Sequence, residues 1–213
     1  MDALLIGFIW LLNLGISILN AWACGKAWAE TKAHGGWRRF MTWMGAIMAA
    51  SGFTWCYLSL ITLIAYAMQV LNMHQAQIAL ELGYIIIVPG ILFSGLMITI
   101  DSWARAYREG GVLNYGVAAY NTYAQIHNTY SAIEGMGSAL GDVFKAFGGG
   151  SKGSSSSSSD DDAKGAAALL IIVLVVVALA AGILTTAAII KKVAGSDPKP
   201  TLDELKKRRL ASE

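Results

Sequence analysis

The stretch that decides the fold is GGGSKGSSSSSSDDDAKG (148–165), which runs directly into AAALLIIVLVVVALAAGILTTAAII (166–190). The first part holds no apolar side chain larger than alanine, and the second holds no charged residue. The hydrocarbon core of a bilayer is about 30 Å thick, so a helix needs roughly 20 apolar residues to cross it. The pair therefore predicts a flexible tether, since Gly/Ser-rich chain behaves as coil, followed by a transmembrane helix.

Three other stretches reach the same length, at 3–24, within 40–71 and at 82–100. Of the 213 residues, 55% are hydrophobic and only 14% are charged, far from the balance of a soluble domain. We therefore predict an all-α integral membrane protein with four transmembrane helices. The predicted organisation is a three-helix bundle (1–109), an amphipathic helix (110–147), the tether (148–165), a C-terminal span (166–192) and a basic tail (193–213).

The amphipathic helix is predicted from a seven-residue repeat, NYGVAAY NTYAQIH NTYSAIE, at 114–134. Apolar or small residues recur at alternating spacings of three and four, which is typical of a helix packing against another helix or a bilayer surface. This stripe consists of Tyr123, Ile126, Tyr130, Ile133, Gly137, Leu140, Phe144 and Phe147. We predict one helix over 112–147, with a break near Gly135 as an alternative. Between Gly110 and Ile133 it carries no Asp, Glu, Lys or Arg.

The positions of the Lys and Arg residues conflict with a topology of four spans. Four Lys or Arg residues lie between the first two spans, two follow the third, and seven follow the last. By the positive-inside rule all three groups favour the cytoplasmic side, which four spans cannot satisfy. We favour four spans, with the amphipathic helix outside the bilayer or on its surface. The alternative is a fifth span at 112–133, which puts 13 of the 16 Lys and Arg residues in the cytoplasm.

Small residues at 45, 49 and 52 form a groove on one face of the second span, as in helix interfaces within membranes. The residues predicted for helix packing or oligomerisation are Gly45, Ala49, Gly52, Tyr123, Ile126, Tyr130, Ile133 and Leu140. If the amphipathic helix crosses the membrane, it offers a neutral pore lining. That lining would comprise Asn114, Asn121, Thr122, Gln125, Asn128 and Thr129.

The basic residues at the end of the chain suit a topological and anionic-lipid anchor. They are Lys191, Lys192, Lys206, Lys207, Arg208 and Arg209. Thr201 and Glu204 stand at capping-box spacing, which predicts a short helix over 202–210.

No pattern for chemistry emerges. His34, His74 and His127 are far apart, and no cysteine or carboxylate stands beside them at metal-ligand spacing. We therefore expect no enzyme, no cofactor, no metal and neither a nucleic-acid partner nor a small-molecule substrate.

Two functions remain in view. The first is an oligomerising structural or assembly subunit of a larger membrane complex, of the secretion, conjugation or virion-membrane type. The alternative is a homo-oligomeric pore. We expect the chain in a cytoplasmic or virion membrane, with its tail in the cytoplasm.

Overall fold

The computed structural model describes residues 3–34, 36–147 and 158–196, and within these ranges the chain is all-α. The five helices are α1 (Ala3–His34), α2 (Gly36–Ala67), α3 (Met73–Glu109), α4 (Val112–Phe147) and α5 (Ser158–Ser196). By length and composition, α1, α2, α3 and α5 can each cross a membrane. The predicted class, four apolar helices plus one long amphipathic helix, is confirmed.

The helices alternate in direction. Along α1 and α2, Trp10 lies beside Cys56, whereas Cys24 lies beside Thr42, so the two run antiparallel. The same holds from each helix to the next along the chain. One end of the bundle therefore gathers the α1–α2 connection, the α3–α4 turn and the C-terminus of α5. We call it the basic end.

Charge separates the two ends. The described helices contain ten Lys and Arg positions, of which eight lie toward the basic end and two toward the opposite end. The eight are 26, 32, 38, 39, 105, 108, 191 and 192, and the two are 145 and 164.

Helices α2 and α5 form the centre of the bundle, with α1 and α3 packed against them. Buried clusters join Ala49 and Phe53 of α2 to Ala21 of α1, and Leu58 of α2 to Val175 and Ala178 of α5. Helix α4 lies at the edge, packed along α3. The least apolar of the five described helices is therefore held mainly by one neighbour.

A helix cap and two glycines explain the short connections between α2 and α3 and between α3 and α4. Asn72 caps α3: its side chain accepts a hydrogen bond from the backbone N–H of Gln75, whose side chain accepts one from Asn72 in return. Between α3 and α4 only Gly110 and Gly111 intervene, both at positive φ (67° and 87°), a conformation that glycine adopts without steric cost. This tight turn folds α4 back along α3.

One boundary differs from the sequence prediction. Helix α5 begins at Ser158, inside the predicted tether, where the aspartates at 160–162 favour a helix N-terminus electrostatically. Helix α4 has the predicted bounds, 112–147, and continues through Gly135 without the break considered as an alternative. The rest of the tether (148–157) and the tail (197–213), including the predicted helix at 202–210 and the basic residues at 206–209, lie outside the described residues.

Candidate assembly surface and helix interfaces

The small-residue groove of α2 packs against α1 of the same chain. A Cβ placed on Gly45 would meet the Cys24 sulfur, and one on Gly52 would meet the Ser17 hydroxyl. Between them Ala49 is fully buried. The predicted helix-packing role of these three positions thus falls within one copy of the chain, where they let two backbones approach closely.

A closer crossing joins α2 and α5 at Gly182. A Cβ there would stand 2.7 Å from the backbone nitrogen of Thr54 and 2.8 Å from the carbonyl oxygen of Ala50. Three residues on, the hydroxyls of Tyr57 and Thr185 are hydrogen-bonded at 2.9 Å. The contact at Gly182 cannot be predicted from the sequence, because a single glycine in an apolar run does not indicate which helix packs against it.

Helix α4 faces α3 with its polar side. The Gln125 side-chain amide donates to the carbonyl oxygen of Leu92 at 3.0 Å, and the Trp103 indole N–H donates to the Thr122 hydroxyl at 2.9 Å. Nearby, the Thr99 hydroxyl donates to the carbonyl oxygen of Asn121 at 3.3 Å. These bonds fix how the two helices are rotated against each other.

Alanines fill the rest of this interface. Ala118, Ala132 and Ala139 are buried, so the two backbones approach closely between the polar contacts. The Tyr84 ring packs directly against Gly135. A Cβ at this position would lie 2.9 Å from the Tyr84 hydroxyl, so the missing side chain leaves room for the ring.

The candidate pore-lining residues are therefore divided. Thr122 and Gln125 hydrogen-bond to α3, and Thr129 accepts a hydrogen bond from Gln125 at 3.3 Å. Asn121 is half-buried beside them, and Asn114 bonds back to the carbonyl oxygen of Gly110. Asn128 is exposed. Most of the polar face is thus occupied by α3.

The aromatic and aliphatic stripe of α4 points away from α3. Tyr123, Ile126, Tyr130 and Ile133 are each 65–70% exposed. We call these four residues the outer stripe. The spacing correctly indicates a helix with one apolar face. Helix α4 nevertheless packs on α3 with its polar face, because α3 offers hydrogen-bonding groups and small residues at that contact.

Toward the opposite end, the same side of α4 meets a small cleft. Leu140 is 38% exposed and lines this cleft with Leu82 and Ile85 of α3 and Ile172 of α5. Nearby, Val143 packs against the cluster around Ile171. Leu140 is thus partly used within the chain, whereas the outer stripe is not.

At the basic end, aromatic and cationic side chains lie together. The Arg39 guanidinium stands 3.7 Å from the centre of the Trp28 ring and donates to the Trp28 carbonyl oxygen at 3.1 Å. Trp28, Trp43 and Lys191 line an apolar cavity of about 620 Å³ between α2 and α5. Indole rings and long cationic side chains favour the headgroup layer. The lipid-anchoring role of Lys191 and Lys192 at this end stays a prediction.

The described residues contain no group of three or more His, Cys, Asp or Glu side chains placed to hold a metal ion. Cys24 and Cys56 are both buried thiols. Cys56 accepts a hydrogen bond from Asn13 at 3.4 Å, and Cys24 donates one to the Thr42 carbonyl oxygen at 3.4 Å. Both cysteines serve as small packing residues between α1 and α2.

Neither protein-family models nor curated proteins nor solved structures match this chain. The function is therefore inferred from the surfaces of the described helices. Among them, the outer stripe is the extended apolar surface presented by a helix whose other face is already hydrogen-bonded.

Proposed function

We propose that the protein is a non-enzymatic structural subunit that assembles with further copies of itself in a membrane, through the outer stripe of α4. The observation that carries this proposal is the exposure of Tyr123, Ile126, Tyr130 and Ile133 on a helix that α3 holds in place.

The spacing of the stripe suits a helix partner. Residues at alternating intervals of three and four form a seam that stays on one side of a helix, and a second such helix can interdigitate with it. Copies inserted in one membrane share one orientation, so two α4 helices would meet in parallel. Tyrosine and isoleucine supply large, shaped side chains for such a seam.

The absence of charge supports the same reading. From Gly110 to Ile133 there is no Asp, Glu, Lys or Arg, so no like-charge repulsion opposes the pairing of identical helices. Among the described residues, α3 is the only helix with which α4 makes extensive contact. The outer side of α4 is therefore accessible to another copy.

The pore alternative has less support. It requires the amide and hydroxyl side chains of α4 to face a lumen, whereas Gln125 and Thr122 bond to α3 and only Asn128 of the six is exposed. A pore would need α4 to turn away from α3.

Single-cysteine crosslinking in native membranes tests the assembly. In a Cys24→Ser, Cys56→Ser background, we expect oxidation to convert Ile126→Cys or Tyr130→Cys into covalent dimers. The matched control is Ser131→Cys, an exposed position next to Tyr130 on another side of the helix, which should remain monomeric. Equal dimer yields at the stripe and control positions, or monomer throughout, would contradict self-assembly through the stripe.

A second measurement guards against random collision. Replacing Ile126 and Ile133 together by alanine should lower the oligomer mass in mild detergent. The control Leu63→Ala, Ile64→Ala removes similar exposed apolar side chains from α2 and should leave the mass unchanged. An unchanged mass in both variants would also contradict the proposal.

A further inference from the structure

We infer that α4 crosses the membrane as a fifth span, inserted with α3 as a helical hairpin, so that the Ser/Asp tether lies on the membrane side opposite the basic end. The inference concerns the environment of α4 and stands or falls independently of self-assembly.

Contacts along α3 and α4 fix the depth of α4 relative to α3. Tyr84 of α3 lies beside the Ser131 carbonyl oxygen of α4, and Thr99 lies beside that of Asn121. Residues 121–131 of α4 thus run antiparallel beside 84–99 of α3, which is the apolar part of an apolar helix. If α3 spans the bilayer, a helix in contact with it over this length lies at the same depth.

Helix α3 supplies hydrogen-bonding partners for polar side chains of α4. Helix α4 lacks the hydropathy expected of a span, because amides and hydroxyls interrupt it. Such groups are costly in hydrocarbon unless they are hydrogen-bonded. Thr122 and Gln125 are already bonded to Trp103 and Leu92 of α3, so the hairpin presents fewer free polar groups to lipid than α4 would alone.

The turn between α3 and α4 is rich in aromatic and basic residues. Trp103, Tyr107 and Tyr115 form an aromatic cluster where the hairpin turns, with ring centroids 5.8–6.2 Å apart. Arg105 and Arg108 lie in the same turn region. Aromatic belts and cytoplasmic Lys and Arg mark span ends, so the Gly110–Gly111 turn has the composition of a connection at the cytoplasmic surface.

The length of α4 and the distribution of Lys and Arg also suit a fifth span. At 1.5 Å per residue, the 36 residues of α4 extend about 54 Å, more than the hydrocarbon core needs. With α4 crossing, all five described helices span alternately, and the end with eight of the ten described Lys and Arg positions lies on one side. This removes the charge conflict that four spans leave.

The polar side chains exposed at this depth include His127 and Asn128, and the His127 ring stacks on Tyr123. In hydrocarbon they need hydrogen-bonding partners. On the proposed function, a second copy would supply a partner for His127, which lies beside Tyr123 of the outer stripe. Asn128 lies on the opposite side of α4 from the outer stripe.

Thiol accessibility tests the inference. In the Cys24→Ser, Cys56→Ser background, single cysteines replace Ser155 in the tether, Gln69 at the opposite end and Glu109 at the basic end. A membrane-impermeant maleimide is applied to intact cells, and then to cells whose membrane has been opened.

We expect Ser155→Cys to label under the same condition as Gln69→Cys, and Glu109→Cys under the other condition. Labelling of Ser155→Cys together with Glu109→Cys would overturn the inference. A repeat with Gly149→Cys covers local shielding at 155, and labelling in SDS confirms that every variant is present. The result does not depend on crosslinking through α4, so topology and assembly can fail separately.

Discussion

The crossing of α2 and α5 at Gly182 yields a quantitative prediction. Replacing Gly182 by alanine puts a Cβ 2.7–2.8 Å from two backbone atoms of α2, whereas ordinary contacts begin at about 3.4 Å. Backbone atoms cannot rotate aside, so α2 and α5 must separate by about 0.6–0.7 Å at this point. The interior of the bundle is densely packed and has little free space for such a shift. Overpacking of this kind costs about 1–3 kcal/mol.

A matched control isolates that cost. Gly15 of α1 has no atom within 4 Å of its Cβ position, so Gly15→Ala adds a methyl group without a clash. Both substitutions gain the same intrinsic helix preference of alanine over glycine, about 1 kcal/mol. The difference between the two variants is therefore the cost of the crossing alone.

The assay is unfolding by SDS titration of purified protein in mixed micelles. We expect the free energy of unfolding of Gly182→Ala to be about 1–3 kcal/mol below that of Gly15→Ala. If the two variants agree within about 0.3 kcal/mol, or if Gly182→Ala is the more stable, then α2 and α5 do not meet at this glycine and the reasoning fails.

Three further predictions address other interfaces. Gly52→Ala should destabilise the protein, and Ser17→Ala should relieve part of that loss because the Ser17 hydroxyl occupies the space; a double-mutant cycle by SDS titration should give a coupling of about 0.5–3 kcal/mol, and strict additivity would contradict the contact. Cys24 and Cys56, only 7% and 1% exposed, should react with maleimide slowly in the folded protein and rapidly in SDS; fast labelling without SDS would contradict their burial. Gln125→Met keeps the side-chain volume but cannot donate a hydrogen bond to α3, so the free energy of unfolding should fall by roughly 0.6–1.7 kcal/mol. An unchanged free energy of unfolding would show that this hydrogen bond does not stabilise the protein.

Much of this architecture was predictable because lipid imposes a simple rule. The apolar spans at 82–100 and 166–190 fall inside α3 and α5, and the stripe spacing predicts α4 at 112–147. The start of α5 at Ser158 does not follow from the sequence, because a serine and aspartate run is typical of coil, although aspartates also stabilise helix N-termini. The close contact at Gly182 was missed because it depends on where α2 lies, which no local pattern encodes.

The role of the two faces of α4 shows why its site was only half predictable. In a water-soluble protein, the apolar face of an amphipathic helix is normally buried and the polar face is solvated. Beside a membrane-spanning helix this preference reverses, since lipid tolerates Ile126 whereas Gln125 needs a hydrogen-bonding partner such as the Leu92 carbonyl oxygen. The sequence pattern identifies the two faces but not the solvent around them. That solvent decides whether the outer stripe is a docking surface in water or a seam between helices in lipid, and the side of the membrane on which the tether lies distinguishes the two.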